Sequence, residues 1–363
     1  MIGSLLLVSQ LMTWTLLEAG QASGDPMAYP TTQDLALAGA VFFSPGLIMK
    51  NPASVALHQG WETQASGQWA LYQEQRSEPV YDPFNNTVGY ATVYSRYQPD
   101  LFLQSWTVVY ATGKAGIGIS WDRPVSKTYR FDKEDRLDVY TPIRREIEEW
   151  TGALGRLTVA FGLKIQGWLM GAAYQAHRAE VRYFYDLWTP ETGDSIAAET
   201  LNLRGSGYAM ALGYRWGYRM KLGVSYRSGF SDPVLAVPSQ WDLAAELTPR
   251  TRRPSRIFLR IGRETWSQVS SAYRDIWRFH FGIRHGLFPR MSFMIGGMLR
   301  QSYVKDLWLA TYTGGLSHTV VPGLTIDVGI AVTPISHGQW ANGTWNRIYE
   351  RLTQVSWGIR WTR

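Results

Sequence analysis

Residues 273–300 read YRDIWRFHFGIRHGLFPRMSFMIGGMLR. Large apolar residues occupy alternate positions near the start of this stretch, namely Trp277, Phe279, Phe281 and Ile283. The positions between them hold Arg278, His280, Gly282 and Arg284. Because successive side chains of a strand point to opposite faces, this alternation predicts a strand with one apolar and one polar face. After a break at 286–289, Phe293, Ile295 and Leu299 share a second apolar face, so the stretch predicts a β-hairpin.

Such a hairpin suits two architectures. In a soluble β-sandwich the apolar face meets a core, whereas in an outer-membrane barrel it meets lipid and the polar face lines a lumen. The chain has 363 residues, a net charge of +7, 17 Trp and 20 Tyr. Its mean hydropathy is −0.19, and no long uncharged apolar run follows the N-terminus, which argues against a helical membrane protein.

Composition excludes some chemistry as well. The chain has no cysteine, so it forms neither disulfides nor a lipid-modified N-terminal cysteine. Its positive charge is spread along the sequence, which gives little support for nucleic-acid binding. Trp and Tyr are enriched at both interfaces of a membrane, because each ring has an apolar body and a polar edge. The aromatic content therefore suits a barrel girdle as well as a large core.

Three regions are predicted along the chain. Residues 1–22 are predicted to be a secretory signal peptide, because an apolar stretch precedes the small residues Gly20 and Ala22; a buried N-terminal helix is the alternative. Residues 23–60 contain short apolar runs broken by Pro and Gly, such as FFSPGL at 42–47. They predict a hatch, or plug, inside a lumen, with a soluble N-terminal arm as the alternative. Residues 61–363 are predicted to form an outer-membrane β-barrel.

The barrel prediction rests on a repeated unit of strand, tight turn and strand. Six tight turns are predicted, at 113–114, 166–167, 215–217, 248–250, 286–289 and 322–323. Seven longer loops alternate with them, at 77–100, 122–151, 186–202, 230–239, 267–272, 301–306 and 334–351. These connections imply an all-β, transmembrane, antiparallel barrel of about 14 strands whose short turns are periplasmic. A soluble β-sandwich or propeller is the alternative. Within the second loop, Thr141 to Trp150 is predicted to form a short helix capped by Thr141.

Four segments resemble the FadL-type outer-membrane transporters of long-chain fatty acids and other hydrophobic compounds. They are LALAGAVFFSPGLIMKNPASVAL at 35–57, LGVSYRS at 222–228, ETWSQ at 264–268 and LTIDVG at 324–329. The resemblance implies a fourteen-stranded barrel, a hatch in its periplasmic half, and diffusion of a hydrophobic ligand without energy input. The wider family includes PorV-like barrels that serve secretion systems, so the fold does not settle the function.

Candidate site residues follow from these predictions. Phe42, Phe43, Leu47 and Met49 are predicted to form the hatch side of a ligand path, with Asn51 and Pro52 fixing its shape. Arg278, His280 and Arg284 share the polar face of their strand and are candidates to contact a ligand carboxylate. The alternative is that they pair with lumenal acids such as Asp327. No sequence motif of a metal site or a serine hydrolase occurs, so no catalytic residue, metal or cofactor is predicted and the protein is not expected to be an enzyme.

The predicted function is passive uptake of fatty-acid-like hydrophobic molecules through a bacterial outer membrane. Burial would favour ligand binding by roughly 0.8 kcal/mol per CH₂, and a hatch movement or a gap between strands would release the ligand. A structural or secretion-system barrel and a polar-solute porin are the alternatives. Expected partners are outer-membrane lipid, lipopolysaccharide and the hydrophobic ligand, with no nucleic acid. A periplasmic or secretion partner is a further possibility, because Arg250, Arg252, Arg253 and Arg256 cluster at a predicted periplasmic turn; a solvated turn is the alternative there.

Overall fold

A computed structural model describes residues 29–138, 140–231, 236–341 and 344–363. The predicted signal peptide, residues 1–22, lies outside the described residues. Among the described residues, no helix has both the length and the apolar character needed to cross a membrane.

Fourteen strands form a closed antiparallel barrel, as predicted, in which β1 pairs with both β2 and β16. The first seven strands are β1 Gln59–Tyr81, β2 Thr87–Thr112, β3 Ala115–Arg136, β4 Pro142–Ile165, β5 Trp168–Thr189, β6 Gly193–Trp216 and β7 Met220–Arg227. A short ladder of β8 Phe230–Ser231 and β9 Ala236–Val237 forms a separate two-stranded sheet that is not part of the barrel. The other barrel strands are β10 Gln240–Leu247, β11 Ser255–Glu264, β12 Ile276–Phe288, β13 Met291–Gln301, β14 Trp308–Val321, β15 Leu324–Ala341 and β16 Thr344–Thr362.

The two faces of the barrel wall follow the predicted alternation. On β12, Trp277, Phe279 and Phe281 are 44%, 40% and 42% exposed, whereas His280 between them is 5% exposed. On β16, Trp357 and Ile359 lie on the exposed face and Ser356 is buried. A soluble sandwich would bury the apolar face. A closed barrel with aromatic and aliphatic side chains on its outside instead fits a lipid-facing wall, because closure pairs the strand edges around the barrel except along part of β2 and β3.

Residues 29–58, which precede β1, fold inside this barrel. Helix α1 spans Thr32–Ala36, and two 3₁₀ turns follow at Pro45–Leu47 and Pro52–Leu57. Thr31 caps α1, because its Oγ1 accepts a hydrogen bond from the backbone N of Asp34 at 3.1 Å. A third 3₁₀ turn, Trp266–Gln268, follows β11 at the opposite end of the barrel from the tight turns.

Four of the seven predicted loops are wrong, because most of their residues belong to strands. Residues 77–100, 122–151, 186–202 and 334–351 are largely strand over the described positions, and two of these stretches contain short turns, at 82–86 and 190–192. The predicted helix at Thr141 to Trp150 is also wrong, since β4 pairs there with β3 on one edge and β5 on the other. Two edges of backbone hydrogen bonds outweigh a ten-residue helix, which is marginal in water. Charged residues on both faces hid the alternation from sequence reasoning.

The turn at 82–86 shows how these hairpins close. Asp82 Oδ1 accepts hydrogen bonds from the backbone N of Phe84 at 2.9 Å and of Asn86 at 2.8 Å, and Oδ2 accepts one from Asn86 Nδ2 at 3.0 Å. These bonds, chiefly that of the Asn86 side chain, hold the pKa of Asp82 below its ordinary value. The carboxylate form of Asp82 therefore stabilises this turn.

Candidate functional site

The segment from Tyr29 to His58, here called the interior segment, is bonded to strands on several sides of the barrel. Thr32 Oγ1 lies 2.8 Å from Ser356 Oγ on β16, and Gln175 Nε2 on β5 donates to Met49 O at 2.8 Å. Glycines allow a close approach: a Cβ on Gly171 would lie 2.2 Å from Ala53 N. The interior segment therefore occupies the lumen at the level of these contacts.

The candidate residues of the interior segment form its packing. Phe42 and Phe43 meet edge to face, with ring centroids 5.0 Å apart, and pack with Ala53 against β5, β6 and β10. Leu47 and Met49 are fully buried in a second cluster with Phe258 and Met294 of the wall.

Asn51 and Pro52 shape the segment. Asn51 Oδ1 accepts from Ala53 N at 3.1 Å, and its Nδ2 donates to Phe42 O at 3.0 Å. Pro52 begins the 3₁₀ turn that follows, where its missing N–H leaves no bond unmade. Together they set the direction in which the chain crosses the lumen. Whether any of the six candidate residues touches a ligand stays a prediction.

A belt of buried ion pairs holds one side of the interior segment. Arg260 bonds Asp242 through Nε and Nη2, both at 2.8 Å, and its Nη1 donates to Gly39 O at 2.8 Å. His280 Nδ1 lies 2.6 Å from Ala38 O, to which a protonated Nδ1 donates. Ala38 and Gly39 both have positive φ, 52° and 79°. The carbonyl groups of Ala38 and Gly39 are therefore two of the positions at which side chains of the barrel wall bind the interior segment.

The belt continues around the wall through shared acids. Arg278 Nη1 lies 2.8 Å from Glu264 Oε1, Arg300 Nη2 lies 3.0 Å from Glu264 Oε2, and Arg278 Nη2 lies 3.7 Å from Asp242. Arg278 is thus paired with lumenal acids, which was the alternative to ligand binding in the sequence analysis. The acids are Asp242 and Glu264 and not Asp327.

Arg284 lies elsewhere in the lumen. Its Nε donates to Ser292 Oγ at 2.9 Å and its Nη2 to Ser317 Oγ at 3.3 Å. Asp327, which sequence reasoning offered as a partner for these cations, instead accepts from Gln33 Nε2 of the interior segment at 3.3 Å. The structure therefore brings Arg278 and His280 together and leaves Arg284 apart.

A cavity of about 70 Å³ lies between the interior segment and the wall. One part of its lining is aliphatic and is formed by Met298, Leu309, Ile335 and Leu352. The other part is cationic or polar and includes Tyr29, Lys50, Arg260, Arg278, His280 and Arg300. The partners of the four cations Lys50, Arg260, Arg278 and Arg300 are three carboxylates, Asp34, Asp242 and Glu264, so one positive charge is in excess. An apolar surface and this excess charge meet in one space, which suits an acidic group attached to a hydrophobic molecule. No cluster of metal-ligating side chains occurs in the described parts of the chain.

The wall itself is incomplete between β2 and β3. The two strands pair only from Ser105–Asp122 to Ala111–Gly116, although β2 stays paired with β1 as far as Thr87 and β3 with β4 as far as Arg136. A bulge at Arg123 and Pro124 bends β3 where the pairing stops. Residues 87–104 of β2 and 123–136 of β3 therefore form no backbone hydrogen bonds with each other, and this gap is here called the seam.

Side chains bridge the lower part of the seam. Gln104 Nε2 donates to Arg123 O at 3.1 Å. Asp100 Oδ2 accepts hydrogen bonds from Ser126 Oγ at 2.5 Å and from Thr128 Oγ1 at 3.1 Å. Three side-chain bonds are easier to open than a long ladder of backbone bonds because fewer bonds must break, although the two bonds to the Asp100 carboxylate are worth about 1.5–3 kcal/mol each.

The seam and the cavity lie at the same level of the barrel. Pro30 O accepts hydrogen bonds from Ser66 Oγ and Ser105 Oγ, and Ser105 marks the end of the β2–β3 pairing. The preceding residue, Tyr29, lines the cavity. The interior segment therefore reaches from the cavity to the lower end of the seam.

No family model matches the sequence, and no curated protein matches it. Solved structures do match. A FadL homologue from Pseudomonas aeruginosa superposes with a TM-score of 0.69 at 12% identity, over 94% of this chain and 100% of that chain. The protein has the fold of the FadL-type outer-membrane transporters. The P. putida toluene transporter TodX (TM-score 0.66, 11% identity) covers 93% of this chain and 99% of its own. The CymD monoaromatic hydrocarbon channel (0.60, 12%) covers 94% and 99%.

Sequence reasoning missed several residues of this FadL-type barrel that surround the site. Tyr129, Phe131 and Trp150 pack with Tyr94 in a buried cluster formed by strands β2 to β6, in stretches expected to be polar loop. The alternation of Tyr129 and Phe131 with charged neighbours was the available signal. The sequence carries no such signal for the cavity residues Met298 and Leu352, because only closure of the barrel brings their strands to the interior segment.

Proposed function

We propose that this protein is a channel in a bacterial outer membrane through which hydrophobic small molecules enter passively, and that they leave the lumen through the seam between β2 and β3. The seam is the observation that carries the proposal. A plugged barrel needs a way out for its ligand, and the seam is a stretch of wall whose strands are joined by side chains alone. Two proteins of similar structure, a toluene transporter and a monoaromatic hydrocarbon channel, agree with an apolar ligand.

The finer specificity proposed is a hydrophobic molecule with an acidic group, such as a fatty acid. The cavity of about 70 Å³ is smaller than the roughly 300–1,000 Å³ of a pocket for a whole small molecule, so it would hold the acidic group and not the acyl chain. Two observations support it. The cavity is lined by the aliphatic Met298 and Leu352 and by the cationic Lys50 and Arg278, so a ligand carboxylate there would share these cations with Asp34 and Glu264. The buried cluster around Trp150 supplies a second apolar region in the lumen, formed by β2 to β6. Comparing uptake of oleate with uptake of toluene by the same vesicles tests this point separately from the route.

Crosslinking tests the route. The natural chain has no cysteine, so an Asp100→Cys/Ser126→Cys variant carries only the two thiols that face each other across the seam. A short thiol-reactive crosslinker should abolish uptake of oleate or toluene into proteoliposomes, and a reducible crosslinker should allow recovery. Val108→Cys/Ile119→Cys is the matched control, because these residues are already paired between the same strands. Full uptake with the seam crosslinked would show that the ligand leaves by another path.

A polar-solute porin is less well supported. The interior segment, which we propose acts as the hatch, fills the lumen with buried side chains such as Leu35, Leu47 and Met49. Planar-bilayer recordings distinguish the two functions, since a porin would conduct ions steadily with the interior segment in place.

A further inference from the structure

The tight turns at one end of the barrel concentrate positive charge. Those that follow β6, β10 and β12, with the strand ends beside them, hold Arg215, Arg219, Lys221, Arg250, Arg252, Arg253, Arg256 and Arg290. Glu246 is the acidic residue at this end of these strands, and it pairs with Lys221 at 2.9 Å and Arg256 at 3.5 Å. The charge of the remaining arginines is not balanced by this carboxylate.

These turns are joined to one another. The backbone N of Thr248 donates to Arg219 O at 2.7 Å, and Arg253 Nη1 donates to Leu287 O at 2.5 Å. They form one strip along the rim, here called the basic strip, which consists of Arg219, Arg250, Arg252, Arg253 and Arg290. Within the described residues, no carboxylate forms an ion pair with a guanidinium of the basic strip. Their charge is therefore available to a partner.

Exposed rings lie beside the strip. Trp216, Tyr218 and Phe288 are 68%, 65% and 66% exposed, and Arg219 Nη2 donates to Tyr218 Oη at 2.9 Å. Residues 216–220 line an open groove of about 420 Å³. The outward faces of the strands above carry further exposed aliphatic side chains, among them Leu222 and Leu259. The arginines lie at the rim, the aromatic rings lie next to them, and the aliphatic side chains lie further along the strands. A lipid leaflet has the same order, from its charged headgroups through the interface to its acyl chains.

We propose that the basic strip binds the phosphate headgroups of anionic phospholipid in the periplasmic leaflet. Guanidinium groups recognise phosphate oxygens with two parallel hydrogen bonds, and Arg250 and Arg252 lie in an exposed turn with no acid to compete. A membrane is favoured over an acidic protein because the strip continues directly into the lipid-facing surface. The proposal rests on the proposed membrane location and does not depend on transport.

Native mass spectrometry of the delipidated protein provides the test. The full chain in neutral detergent is titrated with dioleoyl phosphatidylglycerol and, separately, with dioleoyl phosphatidylcholine. In an Arg250→Gln/Arg252→Gln/Arg253→Gln variant, phosphatidylglycerol affinity should fall about fivefold for each arginine, equivalent to about 1 kcal/mol each near an anionic surface. Phosphatidylcholine binding should stay unchanged.

A matched triple variant removes three exposed arginines from the opposite end of the barrel, Arg130→Gln/Arg145→Gln/Arg182→Gln. It should keep the wild-type preference for phosphatidylglycerol. If both triple variants lost the same phosphatidylglycerol affinity, the effect would come from net charge alone, and the proposal would be overturned. Unchanged phosphatidylglycerol binding in the strip variant would also overturn it and would leave an acidic protein as the partner to seek. Loss of both lipids would show that the strip is not specific for anionic headgroups.

Discussion

Replacing Arg260 with methionine should both destabilise the barrel and loosen the interior segment. The substitution deletes two 2.8 Å bonds to the buried Asp242, which keeps Arg278 at 3.7 Å and the Gln240 amide as partners. Removing one member of a buried ion pair costs about 3–5 kcal/mol, and these remaining partners place the expected cost at the lower end. The substitution also deletes the bond from Arg260 Nη1 to Gly39 O. A hydrogen bond from a charged group is worth about 1.5–3 kcal/mol, so the detached population of the segment should rise about 10- to 150-fold. Dye efflux from proteoliposomes measures the leak, and urea unfolding measures the stability.

A second buried pair separates the two effects. Arg156 bonds Asp122 at 2.9 and 2.6 Å and is equally buried, but no hydrogen bond joins it to the interior segment over the described residues. Arg156→Met should therefore cost similar stability without a leak. Adding Asp242→Leu to Arg260→Met should restore much of the stability, because no charge is left unpaired, while the leak persists. An equal leak from the Arg156 and Arg260 variants would refute the idea that Arg260 holds the segment.

Three further predictions concern packing, the membrane and a hairpin turn. Gly171→Val should lower the urea midpoint sharply, since its Cβ would meet the interior segment at 2.2 Å, whereas Gly297→Ala, with its nearest heavy atom at 3.8 Å, should be nearly neutral. Phe279→Arg should cost about 2–4 kcal/mol of unfolding free energy in lipid if this residue faces the hydrocarbon, and Tyr97→Arg, on the upper part of β2, about 0–1 kcal/mol. The Asp82 turn should keep its protection above the ordinary carboxylate pKa of about 4 and lose it as pH falls through the lower folded pKa. Amide exchange at Phe84 and Asn86 measures this, and protection unchanged in Asp82→Ala would contradict it.

Individual residues show which inferences the sequence could support. Trp277 and Arg278 were assigned to opposite faces correctly, because alternation is a property of the local backbone. The partner of Arg278 could not be predicted, since Asp242 and Glu264 lie on β10 and β11 and meet it only through strand register. The helix expected at Thr141 to Trp150 failed for the same reason, because its caps and apolar spacing are local whereas β3 and β5 supply the stronger bonds.

The sequence by itself predicted the strand count, the two faces of the wall and the apolar segment ahead of it, because all three follow from spacing along the chain. Spacing left a soluble sheet as the alternative, and the exposure of the apolar face in the closed barrel decided against it. Tertiary structure alone decided where the wall is left open and what lines the cavity. Both depend on the order in which strands meet around the ring, where Tyr29, Arg278 and Leu352 converge from distant positions. The order of the strands is set by the pairing energy summed around the whole barrel. A short stretch of sequence carries no information about that sum.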